Sequence, residues 1–147
     1  MNKQVITDQS PIEYILSVLY GLEHGSDQRD SPSFCDTADL KTAQELKKFI
    51  DEIPGGFFIY HADGDEKIIY ANKAMLRLFA CDTLKDFQEL TGNTFPGLVH
   101  PDDLEAVECS IRDQISQSQY DLDYVEYRII RKDGQSRWGE DYGHSIR

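Results

Sequence analysis

The spacing of apolar residues changes near residue 54, and that change divides the chain. Upstream the spacing is helical. Ser10 followed by Pro11 marks a helix start, a capping hydroxyl and then proline in the first turn. Ile12, Ile15, Leu16 and Leu19 follow on one helical face, and Gly25 closes a predicted helix over about 11–23. The run 24–36 is rich in Gly, Ser, Asp and Pro and reads as a loop. A second amphipathic helix is predicted over 38–53, with Leu40, Ala43, Leu46, Phe49, Ile50 and Ile53 on its apolar side. Pro54-Gly55-Gly56 stops it and sets the predicted boundary between a helical extension, 1–53, and a second unit, 54–147. Residues 1–9 are polar and are expected to fray.

Downstream, short strands and short helices alternate. Phe57 to His61 and Lys67 to Asn72 are apolar runs around Asp63-Gly64, a hairpin signal. Asn72 is placed to cap a helix carrying Met75, Leu78 and Phe79, and Leu84, Phe87 and Leu90 mark another that Gly92 ends. Pro101-Asp102-Asp103 opens the longest helix of this half, with Leu104, Val107, Ile111 and Ile115 as its buried stripe. Leu122–Arg131 and Gln135–His144 are two long strands joined at Lys132-Asp133-Gly134. A three-residue loop with Gly134 left-handed puts Trp138 and Tyr142 on the face of Tyr124 and Ile130, whereas a two-residue turn puts Trp138 beside Ile129; the longer loop is favoured. Neither face of this hairpin is plainly polar, so it needs cover on both sides. The fold class that follows is α+β: an antiparallel sheet with a helix cluster on one face and the upstream amphipathic helices on the other.

Composition narrows the function classes. At 147 residues the chain has room for one compact domain with an extension. Its 15 basic and 27 acidic residues give a charge of −12, a surface that repels phosphate backbones and anionic lipid, so neither nucleic acid nor membrane is an expected partner. No stretch approaches the ~20 apolar residues of a membrane span, and the first twenty residues lack the apolar run of a signal peptide. A soluble cytoplasmic protein is expected. Cys35, Cys81 and Cys109 are odd in number and far apart, without a CxxC pair, and Cys81 and Cys109 are expected to be buried thiols.

Three strings give the chain a likeness: IIYANKAMLRLFAC (Ile68 to Cys81), GLVHPDD (Gly97 to Asp103) and EYRIIRKDGQSRW (Glu126 to Trp138). In this order and spacing, residues 54–147 resemble a PAS domain of the subtype found in bacterial multidomain signalling proteins, often ahead of diguanylate cyclase (GGDEF) domains. The resemblance implies a five-stranded antiparallel sheet with helices on one face, and a sensing or dimerising role upstream of an output domain. Two departures stand out. A fifth strand is expected after the one carrying Trp138, so the final strand is missing and the piece is a fragment or borrows that strand. No output domain is present either, and Gly64-Asp65-Glu66 only faintly echoes a cyclase motif.

Candidate chemistry is sparse. No Ser/His/Asp set, HExxH, Walker loop or GxGxxG occurs, so no catalytic residue is expected. A flavin photoreceptor needs a reactive cysteine where Gly92-Asn93-Thr94-Phe95 puts Thr94. Haem needs an axial ligand, and His100 before Pro101 reads as a capping or turn residue. Neither cofactor is expected. Asp63, Asp65 and Glu66 lack the ligand set of a calcium loop, so no metal is expected. Asp102 and Asp103 are explained by the helix N-terminus, and Glu126 and Arg128 are expected to pair with Arg137 or Asp141.

A binding cavity remains, and the resemblance puts it between sheet and helix cluster. Its candidate lining is Phe58, Tyr60, Leu78, Phe95, Leu98, Val107, Ile111, Tyr127 and Ile129. The two phenols favour a cavity over plain core, since buried hydroxyls need partners. Ile12, Ile15, Leu19, Leu46, Phe49, Tyr124, Ile130, Trp138 and Tyr142 are candidates for an outer-face dimer seam. Two readings follow: a sensory and dimerising module, a homodimer passing a ligand or partner signal to a C-terminal output domain, or a ligand-free interaction scaffold with a filled core.

Overall fold

The computed structural model describes residues 2–6 and 37–146. The helix expected over 11–23, with Ile12, Ile15, Leu16 and Leu19, lies outside them, as does Cys35. The described elements are strand β1 (Asn2–Ile6), helix α1 (Thr37–Glu52), strands β2 (Phe57–His61) and β3 (Ile68–Ala71), and helices α2 (Lys73–Leu78) and α3 (Leu84–Thr91). A 3-10 turn (Pro96–Leu98), helix α4 (Leu104–Gln117) and strands β4 (Leu122–Ile130) and β5 (Ser136–Ile146) complete them. This is the expected α+β mixture.

The sheet runs β3-β2-β1-β5-β4, two antiparallel hairpins joined through β1. β1 lies parallel to both neighbours, from Asn2 beside Phe57 and Tyr142 to Ile6 beside His61 and Ile146. Two expectations are corrected here. Residues 2–6 are not a frayed end, and the place between β2 and β5 where a strand was expected to be missing is filled. The sequence Asn-Lys-Gln-Val-Ile gives no sign of this, because three of its five residues are polar. Its position comes from two facing strand edges whose N–H and C=O groups need a ladder.

The hairpin β4–β5 has the register that the longer loop predicts. Arg128 faces Trp138 and Tyr124 faces Tyr142, with Gly134 at φ +82° in the turn. Val125, Tyr127 and Ile129 therefore point inward to a core shared with Phe58, Tyr60, Met75, Phe79, Phe87, Phe95 and Leu98. Gly97 serves close approach, since a Cβ there would collide with the Thr91 carbonyl. α1 reaches the opposite face of the sheet through its last turn, where Ile50 packs with Ile59 and Tyr70. Of its predicted apolar stripe, Leu46 and Phe49 are exposed, Phe49 to 65%, and Ile53 is half-buried.

Asn72 ties these parts together. Its Oδ1 accepts from the Met75 N–H, which caps α2, and from the Phe57 N–H at the start of β2, at 3.1 and 2.9 Å. Its Nδ2 donates to the carbonyls of Ile50 and Gly55, at 2.9 and 3.1 Å. One fully buried amide thus joins the end of α1, the connection to β2, the end of β3 and the start of α2. Asn72→Ala removes four hydrogen bonds from a buried site and is expected to cost about 3 kcal/mol or more in urea denaturation. Asn72→Asp is expected to rescue little, because it keeps the acceptor but sets a carboxylate against two carbonyls. A loss below about 1 kcal/mol for Asn72→Ala would refute this role.

Candidate functional site

Inside the sheet, the aromatic members of the expected lining pack against one another. Tyr60 and Phe95 stack at 4.7 Å between centroids, Phe58 stacks on Phe95 at 6.3 Å, and Tyr127 meets Phe95 edge-on at 6.3 Å. That spacing leaves no ligand-sized gap between Tyr60 and Phe95. Leu98, Val107 and Ile129 are buried in the same cluster, and Ile111 packs against it half-buried. Leu78 does not join them; it is 39% exposed and lines an open groove with Gly56, Ile129 and Trp138.

The Tyr127 hydroxyl is satisfied from within the chain. It donates to Asp141 Oδ2 at 2.8 Å, so its partner is a carboxylate on β5. Asp123 and Asp141 are both buried, on strand positions that face inward with Tyr127. Burial and these carboxylates push the Tyr127 phenol up, and burial with neighbouring acids, Glu66 foremost, does the same to Tyr60. Both phenols therefore stay protonated as donors. Asp141 as a core partner was not foreseen; the signal available was an Asp in inward register with Val125, legible only once the turn is known.

The N-terminus of α4 is clamped to β4. Asp103 takes the Arg128 guanidinium in a fork, Nη2 to Oδ1 at 2.6 Å and Nε to Oδ2 at 3.0 Å, and also accepts from the Arg128 N–H at 3.0 Å. This corrects the expected pairing of Arg128 with Asp141, which faces the other side of the sheet. It also gives Asp103 a partner beyond the helix dipole. His100 forms the turn expected of it: its backbone N–H donates to the Arg128 carbonyl at 2.7 Å, and its Nδ1 accepts from the Asp102 N–H at 3.1 Å. Further along, the Gln114 side chain pairs with both the N–H and the C=O of Tyr124, at 2.9 and 2.7 Å. The Tyr124 and Arg128 rungs on the free edge of β4 are thus filled by Gln114, Asp103 and the His100 N–H.

The outer face of the hairpin is the opposite of the packed interior. Trp138 is 71% exposed and Tyr142 53%, beside exposed Leu122, Tyr124 and Ile130. Tyr124 and Tyr142 meet at 4.8 Å across the strands, and the Arg128 guanidinium lies 5.8 Å from the centroid of the Trp138 ring. Leu46 and Phe49, the α1 members of the expected seam, are exposed as well. Ile12, Ile15 and Leu19 lie outside the described residues. Cys81 is buried, but Cys109, expected inside, is exposed on α4, because the buried stripe of that helix is narrower than its apolar spacing implied. Among the described residues no helix is long and apolar enough to cross a membrane, and no group of three or more His, Cys, Asp or Glu is placed to hold a metal ion.

The clamp has a pH signature. The Arg128 guanidinium, then the Arg128 N–H, hold the Asp103 carboxyl down to about 2. Because this value lies below the ordinary ~3.9, the clamp contributes fully above about pH 4 and is lost as pH falls through about 2. Trp138 is the single tryptophan and lies against Arg128. Its emission is expected to shift over that window, and Asp103→Asn to show the acid-form emission already at neutral pH. A neutral-pH spectrum of Asp103→Asn identical to wild type would contradict the link from Asp103 to Trp138.

Among solved structures, one titled as an RNA-binding light-oxygen-voltage receptor is similar over 78% of this chain, at 22% identity and a TM-score of 0.48. The chain spans 31% of that protein's resolved length. No curated protein matches. Residues 68–147, from β3 through the hairpin whose two faces differ so sharply, match the family model described as the PAS fold, and the chain belongs to that family.

Proposed function

We propose that this chain is a non-catalytic PAS interaction module that works through the outer face of its β4–β5 hairpin rather than through an internal ligand cavity. The observation that carries this is the contrast between the two faces. Inside, Tyr60 and Phe95 stack at 4.7 Å and the Tyr127 hydroxyl is already bonded to Asp141. Outside, Trp138 and Tyr142 remain largely in solvent next to Ile130 and Leu122, an apolar patch of the kind that marks a contact site. A partner on that patch would act on Trp138 and Arg128, and through Asp103 on the start of α4. This is the route by which the module would relay to an output domain of a bacterial signalling protein, a diguanylate cyclase being the sort suggested by the resemblance. The acidic surface supports a soluble, cytoplasmic protein without nucleic-acid or membrane partners.

The test compares wild type with the surface pair Trp138→Ser/Tyr142→Ser and the interior variant Tyr127→Ala, by native mass spectrometry and titration with the apolar dye bis-ANS. The expected wild-type mass is that of the bare polypeptide, with dye binding that the surface pair abolishes while stability changes by less than about 0.5 kcal/mol. Tyr127→Ala is expected to cost about 3–5 kcal/mol, the cost of a large core truncation. A stoichiometric small molecule or flavin, retained by the surface pair and lost in Tyr127→Ala, would return the interior as the working site.

A further inference from the structure

β1 covers only part of its longer neighbour. Its ladder with β5 runs from Tyr142 to Ile146, and its ladder with β2 begins at Phe57. The first half of β5, from Ser136, therefore has β4 on one side and, among the described residues, no strand on the other. On that side lies the open groove at Leu78, about 480 Å³, walled by Gly55 and Gly56 and by Trp138 and Gly139. The wall at Gly56 sits close, since a Cβ there would collide with Met75 and Leu78. The backbone of β5 turns toward this groove. Arg128 gives its N–H to Asp103 and its C=O to the His100 N–H, away from β5, so Arg128–Trp138 is a non-hydrogen-bonded pair. The N–H and C=O of Trp138 then point to the side opposite β4, and by the two-residue repeat those of Ser136 do as well. No ladder fills these rungs among the described residues. Glu140, the next such position, already has its own partner.

The groove also carries cations, Arg131 and Arg137. Arg137 stands opposite Ile129, and Arg131 lies two positions beyond Ile129. Arg131 meets a carboxylate loosely, Nη2 to Asp133 at 3.4 Å, and its Nε is buried without an acceptor. Arg137 is exposed and donates to the neutral Gln135 amide. Open rungs suit a second backbone, Leu78 and Ile129 suit apolar side chains, and two guanidiniums suit carboxylates. A small anion answers the guanidiniums alone and leaves Ser136 and Trp138 as they are.

We infer that this groove takes a short acidic segment of a partner polypeptide in extended form, paired to Ser136 and Trp138 with its carboxylates on Arg131 and Arg137. The site is distinct from the outer-face patch and does not depend on it. The test titrates the full chain at physiological salt, which screens charges beyond about 8 Å. The probes are a short capped peptide of alternating valine and glutamate, its lysine counterpart, its N-methylated form and citrate. Isothermal titration calorimetry reads affinity, and Trp138 emission reports the groove. Long-range attraction to a chain of −12 favours the lysine peptide, so the expected tighter binding of the glutamate peptide reports the arginines. N-methylation, which removes the ladder donors, is expected to weaken that peptide about tenfold or more. R131Q/R137Q is expected to weaken it about tenfold. Citrate or the N-methylated peptide binding as tightly as the glutamate peptide overturns the strand pairing and leaves a small-anion site. Unchanged binding by R131Q/R137Q, preference for the lysine peptide, or no heat and no Trp138 response with any probe overturns the site itself. None of these results alters the bis-ANS outcome that decides the outer face.

Discussion

A buried amide that meets four backbone groups at once is the constraint on which the rest of this fold turns. Asn72 sits where β3 ends and α2 begins, and from there reaches the first residue of β2 and the last turn of α1. Each of those segment ends carries N–H or C=O groups that no helix or ladder satisfies, and leaving them unpaired indoors costs more than a typical hydrogen bond contributes. Because one side chain answers all of them, the last turn of α1 is tethered to the sheet. That explains why Ile50 is buried while Phe49, one position earlier, remains in solvent.

The sheet has a second dependency, in β1. Among the described residues the hairpins β2–β3 and β4–β5 are not paired with one another, and in the sheet the five rungs of β1 join them. On the inner side the hairpins also meet through side chains, where Phe95 lies against Tyr60 of one and Tyr127 of the other. Tyr127, bonded to Asp141, keeps its own hairpin in register across this contact. On the outer side the described residues show a different link. There the charge of Arg128 is drawn to Asp103, and its planar group extends over Trp138, so the start of α4 and the exposed indole share one cation. A single guanidinium thus touches both the exposed indole and the start of α4.

Much of this was legible because it is local. Asn72 as a cap, Gly92 after α3, the Lys132-Asp133-Gly134 loop and the face shared by Trp138 and Tyr142 all follow from residue preferences over a few positions. The α4 stripe was read too generously, since Val107 alone is buried and Cys109 faces out; spacing reports which side is apolar but not how close the neighbouring sheet comes. The partners of Arg128 and Tyr127 were missed for a related reason. Both are carboxylates, and the chain has 27 acidic residues from which pattern alone does not choose.

By itself, then, the sequence determined the order of strands and helices from residue 37 onward, the membership in a fold family carried by three short strings, and which residues share a face of the last hairpin. Tertiary structure alone decided that residues 2–6 become the strand between two hairpins, that a core position holds Asp141 against Tyr127, and that Asp103 rather than Asp141 takes Arg128. The division has a physical cause. Helix periods, caps and turns are energies of neighbouring residues, written in consecutive letters. A strand edge seeking a ladder and a phenol or guanidinium seeking a carboxylate are satisfied across the chain, and the partner is chosen by where the backbone happens to bring it.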